Sequence, residues 1–179
     1  MTDERVPFAD CPVPIADTEQ ILLGHGGGGK LTARLIEEIL LPAFRNAALE
    51  SLDDQAIVSV NGSRIAFTTD SYVVTPIFFP GGDIGELAVN GTVNDLAMGG
   101  ASPLFLSLAF ILEEGFPIAD FRRVVESDRA AAARAHVEVV TGDTKVVDRG
   151  KGDQVFINTS GIGIVPPGVR LSSLSLIHI

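Results

Sequence analysis

Asn90-Gly91-Thr92-Val93-Asn94-Asp95-Leu96-Ala97-Met98-Gly99-Gly100-Ala101 puts a carboxylate inside an otherwise apolar helical stretch that stops at a glycine pair. Read as a helix over Asp83–Met98, the segment sets Glu86, Asn90 and Asn94 at i, i+4 and i+8, one polar stripe. Asp95 lies about 100° off that stripe. It shares its side with Ile84, Leu87, Ala88 and Gly91, where an unpaired carboxylate is costly to desolvate unless a cation or hydrogen-bond donors meet it. A cap on a neighbouring helix, or pairing with an arginine, is the plainer alternative.

Outward from this helix, strands and helices mix. Upstream, Gln55–Val60 and Arg64–Thr69 flank an Asn61-Gly62 turn signal and read as a hairpin, entered by Asp53-Asp54 and left at Asp70. A loop over Thr75–Gly82 leads into the helix. Downstream come a strand over Pro103–Leu112 and an amphipathic helix opened by Pro117 and running to Ala135, with Ile118, Phe121, Val124 and Val125 inward. A strand over His136–Val140 ends at a donor-rich turn, Thr141-Gly142-Asp143-Thr144-Lys145, and a last strand covers Gln154–Ile164. The order ββαβαββ predicts an α+β fold with a mixed sheet and helices on one face. Nearer the start, Leu31, Leu35, Ile36, Ile39 and Leu40 share one arc of a helix that Pro42 should kink or end.

The chain has 179 residues, room for one ordinary domain with a real core. Thirteen Lys and Arg against 23 Asp and Glu leave a formal charge of −10, which disfavours nucleic acid as a partner. A single cysteine, Cys11, makes no internal disulfide, and no Cys/His cluster has zinc spacing, so a cytoplasmic setting is expected. The longest apolar run, Pro103–Leu112, is too short to span a bilayer, and no membrane partner is expected. Residues 1–20 are polar, carry three prolines and show no period; they read as a mobile arm.

Two features bear on chemistry. Gly24 to Lys30 fits the letters of a phosphate-binding loop, but Leu31 stands where that motif needs a Mg²⁺-ligating Ser or Thr, and Thr32 comes one residue late. The run Gly26-Gly27-Gly28-Gly29-Lys30 can still wrap phosphate oxygens with backbone N–H groups; a flexible linker is the other reading. The acids carry the stronger signal. Asp53, Asp54, Asp70, Asp95 and Asp143 each sit at an element end or in apolar surroundings, and hard oxygen ligands of this kind suit Mg²⁺ bridged to substrate phosphates. Lys145 adds a point charge for a phosphate, or is an ordinary surface lysine. His25 and His136 show no partner and Cys11 no activating neighbour.

Five ordered motifs resemble one family: Leu22–Lys30, Asp53-Asp54-Gln55-Ala56, Thr68-Thr69-Asp70-Ser71, Val93-Asn94-Asp95-Leu96-Ala97 and Thr141-Gly142-Asp143-Thr144-Lys145-Val146-Val147. With Val74–Gly82 and Phe110–Gly115 they look like the HypE family of carbamoyl dehydratases in [NiFe]-hydrogenase maturation, within the PurM-like superfamily of aminoimidazole ribonucleotide synthetase. The resemblance implies a PurM N-terminal-like ATP-binding domain over 21–168 that forms a homodimer. It further implies that Asp53, Asp54, Asp70, Asp95 and Asp143 hold metal, that Gly26–Gly29, Lys30, Asn94, Asp143, Thr144 and Lys145 hold ATP, and that Asp95 and Lys145 act in catalysis. In such a family ATP drives dehydration of a carbamoylated C-terminal cysteine to a thiocyanate, with a carbamoyltransferase and a maturation scaffold complex as partners. Residues 169–179 depart from the family's continuation and no cysteine follows Cys11, so a truncated second domain with a non-native tail, inactive alone, is expected. A related PurM-like synthetase or kinase, or a non-catalytic dimerisation or nucleotide-binding module, is the alternative.

Overall fold

The structure, a computed structural model, describes residues 20–171. Cys11, most of the expected arm and the Ser172–Ile179 tail lie outside the described residues. The chain divides into two compact units, residues 1–46 and 47–179.

In the first unit, a tight turn over Leu23–Gly26 leads to α1 (Lys30–Leu35), with Gly29 as its N-cap. Gly28 takes a positive φ of 72°, and its N–H donates to Thr32 Oγ1 at 3.0 Å. The His25 ring is folded back onto the Leu22 backbone, so it does have a partner. The helix does not end at Pro42: the turn widens to a π-helix over Ile36–Leu40 and resumes as α2 (Leu41–Phe44). Pro42 has no N–H and its ring crowds the carbonyl four residues back; the wider turn just before it relieves both.

The second unit is the α+β domain expected from the order of elements. β1 (Ala56–Val60) and β2 (Ser63–Tyr72) form the hairpin, and short β3 (Phe78–Phe79) and β4 (Gly82–Asp83) lie within the expected loop. Then follow α3 (Ile84–Met98), β5 (Ser102–Glu113), α4 (Ile118–Ala135), β6 (Glu138–Val147) and β7 (Val155–Val165). The five-stranded sheet has the order β1-β2-β7-β5-β6; only β5 and β6 run parallel, joined by the crossover helix α4.

Alternation along β7 decides the two faces. Val155, Ile157, Thr159, Gly161, Gly163 and Val165 point at the helices and are buried, whereas Asn158, Ile162 and Ile164 face the other way and are exposed. α3 buries Ile84, Ala88, Val89, Thr92 and Leu96 against this sheet, and Asp83 caps its start by accepting from the N–H groups of Gly85 and Glu86. The core lies in three clusters between sheet and helices, built around Ile84, Val124 and Ile157, around Val89, Leu106 and Ala131, and around Ala66, Leu96 and Val165. Leu87, expected inward beside Asp95, is exposed, as are Ile118 and Val125 of α4, whereas Ile84, Ala88 and Val124 are buried as expected.

Thr141–Lys145 is not a turn. Its glycine and short polar residues read as turn chemistry, yet the segment continues β6 at the sheet edge. One extra residue, Val140, bulges between the pairs Leu106↔Val139 and Ser107↔Thr141. Beyond it Thr141, Asp143 and Lys145 share the face of Ser107, Ala109 and Ile111, away from the helices.

α3 and α4 approach closely at Gly85, where an added Cβ would sit 2.7 Å from the Val124 carbonyl oxygen. Because that neighbour is backbone, Gly85→Ala is expected to cost about 1–3 kcal/mol, read as a lower urea midpoint with an unchanged m-value. An unchanged midpoint would show that the helices part freely.

Candidate functional site

Asp70 was expected at the exit of the hairpin. It lies instead inside β2, which runs two residues past it, and its side chain is on the helix-facing side with Thr68 and Tyr72. α3 brings Asp95 to the same place: Thr68 Oγ1 is 3.2 Å from Asp95 Oδ2 and donates to the Asp54 carbonyl at 2.7 Å. The Tyr72 hydroxyl donates to Asp70 Oδ2 at 2.7 Å and lies 3.4 Å from Thr92 Oγ1. Thr92, fully buried, is fixed by the Ala88 carbonyl at 3.2 Å and by a short contact with the Thr159 hydroxyl of β7. Gly91 makes room for the phenol; a Cβ there would stand 2.1 Å from the Tyr72 oxygen.

Burial raises the Asp95 carboxyl, and the adjacent Asp70 charge and a hydrogen bond shared with Asp70 raise it further, to about 6. Asp54 adds to the repulsion from further off. Burial also holds the Tyr72 phenol above its ordinary range, with Asp70 pushing the same way, so it remains a donor. Thr68 has one hydroxyl proton. With that proton on the Asp54 carbonyl, its contact with Asp95 is best satisfied by a hydrogen from Asp95 or by a cation that takes up the carboxylate's charge.

The expected five-carboxylate set therefore divides. Asp70 and Asp95 are together, Asp54 stands close by through the Thr68 link, and Asp53 is exposed in the segment before β1. Asp143 is not with them. It lies on β6, three strands across from β2, on the opposite face, where Lys145 Nζ pairs with it at 2.8 Å and holds its carboxyl below the usual range. Thr144 is exposed on the same edge strand, and Asn94 is exposed on α3 next to Asp95. Among the described residues no three acidic, histidine or cysteine side chains are grouped to hold a metal ion by themselves. A pair of carboxylates is what Mg²⁺ needs when phosphates and water fill its other positions, and the mutual repulsion of Asp70 and Asp95 is what such a cation relieves. Gly26–Gly29 and Lys30 belong to the first unit, where all five are exposed.

Sequence reasoning missed two residues here. Tyr72 follows Asp70 by two positions, the strand spacing that puts both on one face, and that signal was available. Asp128 sits at 1% exposure in the inward stripe of α4, four residues after Val124, and neither carboxylate oxygen has a partner.

A mixed sheet with helices on one face and acids on β2 and α3 defines a class: the chain belongs to the family of AIR synthase related proteins, whose N-terminal domain matches residues 52–165. Within that class its likeness is to the N-terminal part of HypE. It is 58% identical over 148 residues to the carbamoyl dehydratase HypE of Azotobacter vinelandii, covering 83% of this chain and 43% of that protein. A HypE–HypF complex superposes with a TM-score of 0.72 at 54% identity, over 77% of this chain and 44% of the other. A HypE structure with ATP gives 0.58 at 53%, over 82% and 44%. The chain thus spans less than half the length of the relatives it matches.

Proposed function

We propose that this chain is the nucleotide- and cation-binding part of an ATP-dependent carbamoyl dehydratase that acts in the cytoplasm in [NiFe]-hydrogenase maturation. The whole enzyme would turn a carbamoylated cysteine into a thiocyanate for the cyanide ligand, with a carbamoyltransferase and a maturation scaffold complex as partners. No cysteine lies among the described residues, so in this reading they serve the ATP side of the reaction. The observation that carries it is the Asp70–Asp95 pair, two carboxylates forced together on the protein's own hydroxyls. Bound Mg²⁺ would supply charge neutralisation of the ATP phosphates there; Asp70 and Asp95 hold it, and Asp54 adds to the field.

Asp143, Thr144 and Lys145 cannot meet that pair within one chain, because they occupy the far edge strand and the outward face carries Asp143 and Lys145. A homodimer resolves this, with a second copy offering its β6 to the nucleotide. The exposed apolar row on the outward sheet face supports such a dimer: Phe67, Ile162 and Phe105 are cross-strand neighbours at 45%, 40% and 40% exposure.

The test is ATP titration by calorimetry with and without Mg²⁺. Binding should require Mg²⁺, and Asp95→Asn should weaken it by at least about tenfold, about 1.4 kcal/mol, while leaving the thermal midpoint near that of wild type. Metal-independent binding, or equal affinity of the two proteins, would remove the assignment.

A further inference from the structure

The hydroxyl groups around the acid pair leave each carboxylate with one oxygen engaged. Asp70 Oδ2 takes the Tyr72 hydrogen at 2.7 Å and Asp95 Oδ2 is in contact with Thr68 at 3.2 Å. The Tyr72 hydroxyl cannot swing away cheaply. Its ring belongs to the packing of the Ile84–Ile157 cluster, Thr92 stands 3.4 Å from its oxygen, and its place is open only because residue 91 is glycine.

Cations differ in what they ask of a carboxylate. Ca²⁺ takes six to eight oxygens at roughly 2.3–2.6 Å and gains from two-oxygen carboxylates; Mg²⁺ takes six at about 2.0–2.1 Å, keeps its waters and uses carboxylates through one oxygen. A carboxylate oxygen that accepts a phenol hydrogen has committed one of its two lone pairs and is the weaker ligand, which favours ligation through the other oxygen. Resting on the reading that Asp70 and Asp95 hold the cation that accompanies the nucleotide, we propose that Tyr72 is a positioning residue that sets cation preference. By engaging one lone pair of Asp70 Oδ2 it favours one-oxygen ligation by Asp70 and so disfavours Ca²⁺ against Mg²⁺. Thr68 plays the same part for Asp95 only when its one hydroxyl proton turns from the Asp54 carbonyl to Asp95 Oδ2, over the longer and weaker contact.

The experiment is calorimetric titration of the full chain with ATP in MgCl₂ and, separately, in CaCl₂, for wild type, Tyr72→Phe and Thr68→Val. Wild type should bind more tightly with Mg²⁺. Tyr72→Phe should move the Ca²⁺-to-Mg²⁺ affinity ratio toward Ca²⁺ by about tenfold, and Thr68→Val in the same direction by less. A purely structural loss would weaken both cations alike and leave the ratio where it was; that result in both variants overturns the proposal. If wild type shows no metal-linked ATP binding at all, it is the site assignment that fails. Near-ultraviolet circular dichroism of each variant establishes that the compared proteins are folded, and Thr68→Val carries the test should Tyr72→Phe prove unfolded.

Discussion

Asp128→Asn is expected to make the domain more stable than wild type at pH 8 and no more stable at pH 4.5. Asp128 is buried on the inward stripe of α4, beside Gly85 of α3, without a hydrogen-bond partner. Burial, with a smaller push from the Asp83 charge, raises its carboxyl from 3.8 to about 7. Between those values the folded protein holds a proton that the unfolded chain has released. Stability therefore falls as pH rises from about 4 to about 7 and is level above that. At about 1.36 kcal/mol per pH unit the full penalty approaches roughly 4 kcal/mol, and the unpaired amide of the variant returns part of it, leaving a gain of about 1–3 kcal/mol. Nearby cations do not offset the charge: Arg129 pairs with Glu126, and Arg134 crosses to Glu86 at 2.5 Å. Urea unfolding of both proteins at pH 4.5, 6 and 8 measures the difference directly, with other titrating groups cancelling. A variant less stable than wild type at every pH would mean that Asp128 has a partner after all.

The second large effect concerns assembly. Ile162→Lys should convert the proposed dimer to monomer, raising its dissociation constant by about a hundredfold or more, since a lysine at the middle of a self-facing apolar row must be desolvated against its own copy. Ile162 lies between Phe67 and Phe105 in register and points away from the helices, so the core does not feel the change. Sedimentation velocity at micromolar concentration reads the outcome. A variant that stays dimeric would direct the dimer to another surface, and a monomeric wild type would remove the proposed dimer.

Much of the architecture is legible along the chain because its periods are clean. The Asn61-Gly62 turn, the helix start at Asp83 and the glycine pair after Met98 each mark an element end to within a residue. What the sequence hides is where strands carry polar residues. Thr141–Lys145 holds glycine, threonine and aspartate, the vocabulary of turns, and only its place beside β5 makes it a strand. Asp70 was read as the end of its hairpin strand for the same reason. The pairing of Asp70 with Asp95 is half legible: each acid stands out locally, but their proximity depends on α3 crossing β2, which no local pattern encodes. Asp128 escaped notice because a helix with four arginines, Asp120 and Glu126 makes one more charge unremarkable unless its angular position is checked.

The bulge at Val140 gives length a meaning in β6 that composition lacks. Along a strand, inward and outward positions are a matter of odd and even counting, and one extra residue changes the count for everything after it. Asp143 and Lys145 face outward only on this count; removing one residue between Val139 and Thr141 would turn both toward the helices without altering either side chain. Substitution is therefore the lesser hazard to this segment, and a single-codon insertion or deletion ahead of Thr141 the greater.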